Sequence, residues 1–318
     1  MKKLIKILLS VLLFAFASSS FAASKKSIVC TTFPQYDWIR NILGEKSNTF
    51  ELTLLLNNGT DLHSYQPSVK DIAKISTCDL FVYVGGESDE WVEKVIESAK
   101  NKNLISVNMM QVLGDRVYEE ELVEGMQGEE EDEEAEGEEE PEYDEHIWLS
   151  LKNAVILTEY LSDQIQKLDS KNADTYKKNT IVYTNELKAL DEEYFLSLAI
   201  YSRNVLLFGD RFPFRYLTED YGLYYYAAFV GCSAESEASF ETITFLAKKL
   251  DELGLPAVIT LEKSDKKIAK TIVAASTYKN QKILEMDSIQ SITQKEIKAG
   301  KTYLSAMKKN LEVLKEAL

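Results

Sequence analysis

The sequence predicts an α/β protein of two lobes joined by one long helix. Three observations carry this expectation. Short apolar, partly β-branched runs alternate with helix-period segments early in the chain and again in its last third, as in parallel sheets covered by helices. Residues 142–208 contain Gly or Pro only at their borders' far sides, none within, which suits uninterrupted helix. The 318-residue length leaves room for about two domains. The expected division is a signal peptide at 1–22, an N-terminal lobe at 23–168, a linking helix at 169–202 and a C-terminal lobe at 203–318.

Lys2, Lys3 and Lys6 accompany an apolar run that reaches Ala17, and small residues follow to Ala22. This pattern reads as a secretory signal cleaved after about Ala22. The run is shorter than the roughly 20 residues of a spanning helix. No Cys stands at its end to accept a lipid, so a soluble, exported, periplasmic protein is expected.

Ser27 to Thr32, Phe50 to Leu56, Asp79 to Val84 and Leu104 to Asn108 read as the strands of the first lobe. Asp37 to Leu43, Val69 to Lys74 and Ser88 to Lys100 read as its helices. Ser150 is a good N-cap for a helix with Leu151, Ala154, Thr158, Leu161, Ile165 and Leu168 on one face. The stripe Ala173, Tyr176, Thr180, Tyr183, Leu187, Leu190, Tyr194 and Leu198, at spacings of three and four, marks a second helix from about Asn172 to Tyr201. At about 1.5 Å per residue it would exceed roughly 40 Å and could act as a spine. Asn204 to Phe208, Tyr224 to Phe229, Ala257 to Leu261 and Lys282 to Leu284 follow as strands. Phe212 to Asp220, Phe240 to Leu253, Asp265 to Ser276 and Thr293 to Leu318 follow as helices. The two halves share no sequence repeat.

A net charge of −16 argues against a nucleic-acid binder, which needs a basic face. Most of the imbalance sits in Glu119 to Glu145, which holds 17 acidic residues and no basic one. Such a tract cannot bury a core and is expected as a mobile loop, either a low-affinity cation collector or a solvating segment. Carboxylate oxygens also suit Ca²⁺ and Mg²⁺, so it should be unselective. Three Cys leave one unpaired in any disulfide scheme. Cys30 and Cys78 abut expected strands and read as buried free thiols. Cys232 follows a strand of the second lobe, where a buried thiol is more often inert than a ligand.

The chain has only two His, in Asp61-Leu62-His63-Ser64-Tyr65-Gln66-Pro67-Ser68 and in Asp144-Glu145-His146-Ile147-Trp148-Leu149-Ser150. Neutral imidazoles with carboxylates suit a borderline metal such as zinc. Taken bare, two His 83 residues apart are no local metal motif, and surface or capping roles compete.

The flanking residues resemble the solute-binding proteins of zinc and manganese ABC transporters. The resemblance runs through Thr31-Thr32-Phe33-Pro34-Gln35-Tyr36-Asp37, both His segments, Asp220-Tyr221-Gly222-Leu223, Ser233 to Ser239 and Leu284-Glu285-Met286-Asp287-Ser288, in order. It implies two Rossmann-like α/β lobes, a rigid connecting helix and one metal in the interlobe cleft. It implies His63 and His146 as metal ligands from the first lobe and Asp287 as a carboxylate ligand from the second. The third ligand position falls on Arg211, which cannot ligate, so the adjacent Asp210 is the expected substitute, with Arg211 pairing a carboxylate such as Glu237. The implied function is capture of a divalent transition metal, Zn²⁺ or alternatively Mn²⁺, by a monomeric, non-enzymatic receptor. Its implied partners are an ABC permease and its ATPase. Two rival classes remain open on sequence: an exported metallohydrolase using an open coordination position, and an adhesin using the acidic tract. No HExxH helix supports the former.

Overall fold

Each half of the chain folds around a four-stranded parallel sheet. The computed structural model describes residues 25–128, 142–233 and 237–318. The expected signal peptide and the centre of the acidic tract therefore lie outside the described residues. In the first lobe β1 (Lys26–Cys30) lies between β2 (Phe50–Leu54) and β3 (Leu80–Tyr83), and β4 (Ile105–Asn108) flanks β3. In the second lobe β5 (Val205–Phe212) lies between β6 (Tyr224–Val230) and β7 (Ala257–Leu261), and β8 (Lys282–Met286) flanks β7. The two sheets thus share one topology. β7 is buried at every position, as expected where helices cover both faces of a parallel sheet.

Around the first sheet lie α1 (Phe33–Leu43), α2 (Val69–Thr77), α3 (Trp91–Glu97) and α4 (Met109–Leu113). Ser68 and Asp71 close a reciprocal capping box at the start of α2. α5 (Leu151–Leu168) starts where Ser150 accepts the Asn153 N–H at 3.0 Å. α6 (Ala173–Leu198) is the long helix, and it buries Tyr176, Tyr183, Leu187, Leu190, Tyr194 and Leu198. The second lobe adds α7 (Arg215–Tyr221), α8 (Phe240–Glu252), α9 (Lys267–Ala275), α10 (Gln294–Lys298) and α11 (Tyr303–Ala317).

Three expectations need correction. β5 continues through Phe212, so the following helix begins at Arg215 rather than Phe212. Thr293 to Leu318 is two helices, because Gly300 takes a φ of +93° that ends the first. The acidic segment has fixed ends: Glu120 N–H donates to Glu142 O at 2.9 Å, Asp144 N–H to Tyr118 O at 2.9 Å, and Gln127 N–H to Ala228 O at 2.9 Å. Acidic composition masked Val123 and Met126, which pack against the core.

The lobes meet at a buried polar junction. Trp148 Nε1 donates to Ser288 O at 2.9 Å, and Tyr303 Oη donates to Trp148 O at 2.6 Å. Tyr303 N–H donates to Asp37 Oδ2 at 2.8 Å, and its ring meets Trp38 edge-on. One apolar core runs from β1 through α5 and α6 to α11. Cys30 and Cys78 are buried and free.

Two stability effects follow from these contacts. Tyr303→Phe leaves the buried Trp148 carbonyl without this donor and should lower the unfolding free energy by about 1–3 kcal/mol in urea titrations. Asp89 is buried beneath the turn after β3, and its Oδ2 accepts the Val84 and Gly85 N–H groups at 2.8 and 3.0 Å. Burial pushes its carboxyl up to about 6, against the pull of those two donors. The folded state therefore holds this proton more tightly than the unfolded chain does. The resulting stabilisation is complete below about pH 4 and is lost as pH rises to about 6, a change of about 2–3 kcal/mol. Asp89→Asn should flatten the unfolding free energy across that window.

Candidate metal centre

Both His residues sit in short turns braced in the same way. Asp61 Oδ1 accepts the His63 N–H at 3.1 Å, and Asp144 Oδ1 accepts the His146 N–H at 2.7 Å. A carboxylate two residues upstream thus fixes the backbone at each imidazole, the Asx-turn geometry that favours Asp in such places. The Ile147–Leu149 turn then leads from His146 into α5.

The two rings face each other. His63 Nε2 and His146 Nε2 are 3.1 Å apart. Two nitrogens bound to one tetrahedral zinc at about 2.0–2.1 Å stand about 3.3 Å apart, so the spacing fits. The opposite ring nitrogens are engaged elsewhere. His146 Nδ1 lies 2.9 Å from Asp144 Oδ1. His63 Nδ1 lies 3.0 Å from Ser88 Oγ and 3.5 Å from Glu145 Oε2. Partners at Nδ1 orient a ring and leave Nε2 for a metal.

The surroundings separate the two imidazoles electrostatically. Burial, and then the nearby His146, hold His63 down to about 3. Burial also opposes a charge on His146, but the Asp144 carboxylate, with Glu120 and Asp61, outweighs it and raises that pKa. Burial pushes Glu145 up to about 7. Burial likewise raises Cys232, reinforced by Glu120.

Cys232 is the third member of the group. One ligand atom each from His63, His146 and Cys232 lies within 4.8 Å of the others. Gly231 makes this approach fit, since a Cβ there would stand 2.9 Å from Phe212 O and 3.1 Å from His146 Cε1. A cavity of about 360 Å³ opens beside the group, lined by Ser88, Trp91, Glu120, Tyr143 and Glu145 among others.

The other sequence-derived candidates are placed differently. Asp210 Oδ1 accepts the Arg211 N–H at 3.0 Å and Oδ2 accepts the Leu261 N–H at 3.3 Å, so its carboxylate braces β5 against β7. Arg211 pairs with Asp61, Nη2 to Oδ2 at 2.8 Å, and not with Glu237 as expected. The register shift in β5 between Phe208 and Arg211 accompanies this placement. Asp287 is buried, with Oδ2 2.6 Å from Lys301 Nζ and Oδ1 accepting the Ile289 N–H at 2.9 Å. The structure therefore unites His63 and His146 with Cys232, and it engages Asp210 and Asp287 in other contacts.

Sequence reasoning passed over Asp61, Asp144, Ser88 and Glu145. The repeated Asp-x-His spacing at 61–63 and 144–146 was a usable signal for the first two. Ser88 reaches His63 from a separate loop, 25 residues on, and left no such trace.

Comparison with known proteins places these observations in a family. Residues 28–317 match the family model described as ZnuA, zinc-uptake complex component A periplasmic. The zinc-binding lipoprotein AdcA of Streptococcus pneumoniae serotype 4 is 30% identical over 322 residues, covering 99% of this chain and 61% of that protein. The high-affinity zinc uptake system protein ZnuA of Bacillus subtilis is 27% identical over 302 residues, covering 95% of this chain and 90% of that one. The crystal structure of the Zn(II)-bound ZnuA-like domain of Streptococcus pneumoniae AdcA superposes with a TM-score of 0.71 at 27% identity, covering 92% of this chain and 99% of that one. The chain spans 61% of the length of the AdcA relatives.

Asp144 serves both the backbone and the ring of His146. Asp144→Asn keeps an acceptor for the turn and removes the charge behind the imidazole. Zinc affinity should fall by about 10-fold or more, read by competition with a chelating dye, while the far-ultraviolet circular dichroism stays unchanged.

Proposed function

The chain belongs to the ZnuA family of zinc-uptake complex components, and on that premise we propose that it captures zinc outside the cytoplasmic membrane and hands it to an ABC permease for import. The observation that carries this reading is the pair of facing imidazole nitrogens, His63 Nε2 and His146 Nε2, 3.1 Å apart with both Nδ1 atoms already engaged. His63 and His146 are the ligands from the first lobe, and zinc is the cargo. An ATPase on the far side of the membrane supplies the energy, so the chain acts as a receptor and not as a catalyst.

The donor set favours zinc over manganese. Manganese prefers carboxylate and water oxygens, whereas imidazole and sulfur suit zinc. Here the candidate carboxylates Asp210 and Asp287 are taken up by Leu261 N–H and by Lys301. The names of the AdcA and ZnuA relatives point the same way. Asp61 and Arg211 add an ion pair from one lobe to the other beside the His pair, which favours a closed arrangement around the metal.

Metal analysis and competitive titration of the full chain test the reading. One tight equivalent of zinc is expected, and it should vanish in the His63→Ala/His146→Ala variant. Tight manganese with weak zinc would overturn the metal, and no tight metal would overturn the function. Imidazole binds metal only when unprotonated, so zinc affinity should fall as pH is lowered from neutral towards 5. A constant affinity over that range would argue against His ligation.

A further inference from the structure

We propose that Cys232 is the third zinc ligand of this chain, completing a His63, His146 and Cys232 donor set. The proposal rests on the zinc-binding reading above and specifies the site that performs it. Its starting point is Arg211, which occupies the position where the resemblance places a third ligand. A guanidinium has no lone pair to offer a metal. Instead its Nη2 holds Asp61 at 2.8 Å and its Nη1 donates to Ser233 O at 3.3 Å. Asp61 braces His63, and Ser233 directly follows Cys232. One side chain thus ties the His63 turn to the segment that carries the thiol.

Further contacts fix the same segment over the imidazoles. Glu120 Oε1 accepts the Cys232 N–H at 3.1 Å. The bare backbone of Gly231 lies against His146 and Phe212 O, where a Cβ would crowd both. The Cys232 Sγ, His63 and His146 ligand atoms lie within 4.8 Å of one another. Ligand atoms on one tetrahedral zinc stand about 3.3–3.6 Å apart, given Zn–S near 2.3 Å and Zn–N near 2.0–2.1 Å, so a gap as wide as 4.8 Å must close by roughly 1 Å to hold one ion.

A second observation at this place points to a cation. Glu145 is almost fully buried, and its Oε2 has no hydrogen-bond partner although it lies 3.5 Å from His63 Nδ1. A buried carboxylate oxygen left in this way is costly unless a positive charge arrives nearby. A cation bound at His63 Nε2 acts on it through the ring, by fixing the Nδ1 proton on the edge that faces Glu145 Oε2 and Ser88 Oγ. Zinc binding by Cys232 forms a Zn–S bond and breaks the S–H bond, and the proton leaves to solvent or to the Glu120 carboxylate. No electron transfer is involved.

Cobalt substitution reads the ligand directly. The full chain loaded with Co²⁺ should show a thiolate-to-cobalt charge-transfer band in the near ultraviolet, and Cys232→Ser should abolish it. The same variant should weaken zinc by at least about 10- to 100-fold, the range seen even for loss of an outer-sphere partner. X-ray absorption at the zinc edge of the unmutated protein provides a check that needs no variant. One sulfur scatterer at about 2.3 Å is expected. Tight zinc with only nitrogen and oxygen scatterers, and a cobalt spectrum unchanged by Cys232→Ser, would overturn the proposal and leave the zinc receptor standing. Failure to bind zinc tightly at all would overturn both.

Discussion

Two imidazoles brought nitrogen to nitrogen at 3.1 Å, in a place largely closed to water, cannot both carry charge. Much of the local structure answers that constraint. Asp144 supports the ring of His146 from behind, while His63, which is set against Ser88 and Glu145, is kept neutral by burial. The two Asp residues act on backbone and site together. Each accepts its own His N–H, and each then reaches outwards, Asp144 to a ring and Asp61 to Arg211.

The site is also wired to the junction between the lobes. Trp148 comes two residues after His146. Its indole donates to Ser288 O and its carbonyl accepts from Tyr303. Ser288 is in turn held by Glu262, through N–H to Oε2 at 2.7 Å and hydroxyl to Oε1 at 2.7 Å. A short chain of buried hydrogen bonds thus links the His146 turn to the segment that follows β8. Such chains are costly to break because the groups left behind have no water to turn to.

Most of the fold was legible in the sequence because its strands are short, largely apolar runs set between helix-period segments. The exceptions have local causes. β5 runs on past Phe208 through Gly209, Asp210 and Arg211, which break the apolar run that marks the strand in the sequence, and its register shifts there. The break at Gly300 was hidden by helix-forming Lys and Glu on both sides. At the site, the two His were singled out by their flanking residues. Asp287 was singled out in the same way, but sequence could not reveal Lys301, which meets it from 14 residues further on. Cys232 looked like any thiol after a strand. Its meaning depends on Arg211 and Gly231, and the contacts of both are tertiary.

The paired ends of the acidic segment have a practical consequence for protein engineering. Glu120 and Glu142 are hydrogen-bonded to each other across the base of the segment, and both help wall the cavity beside the His pair. Gln127 is joined to the strand β6 of the opposite lobe. The base of the tract is thus architecture belonging to the site, whatever its centre does. A shortened chain that replaces only residues 129–141 with a flexible linker leaves the residues of these walls in place. One trimmed from Glu119 to Glu145 removes Asp144 and Glu145 as well, and it would answer a question about the tract with a defect in the imidazole supports.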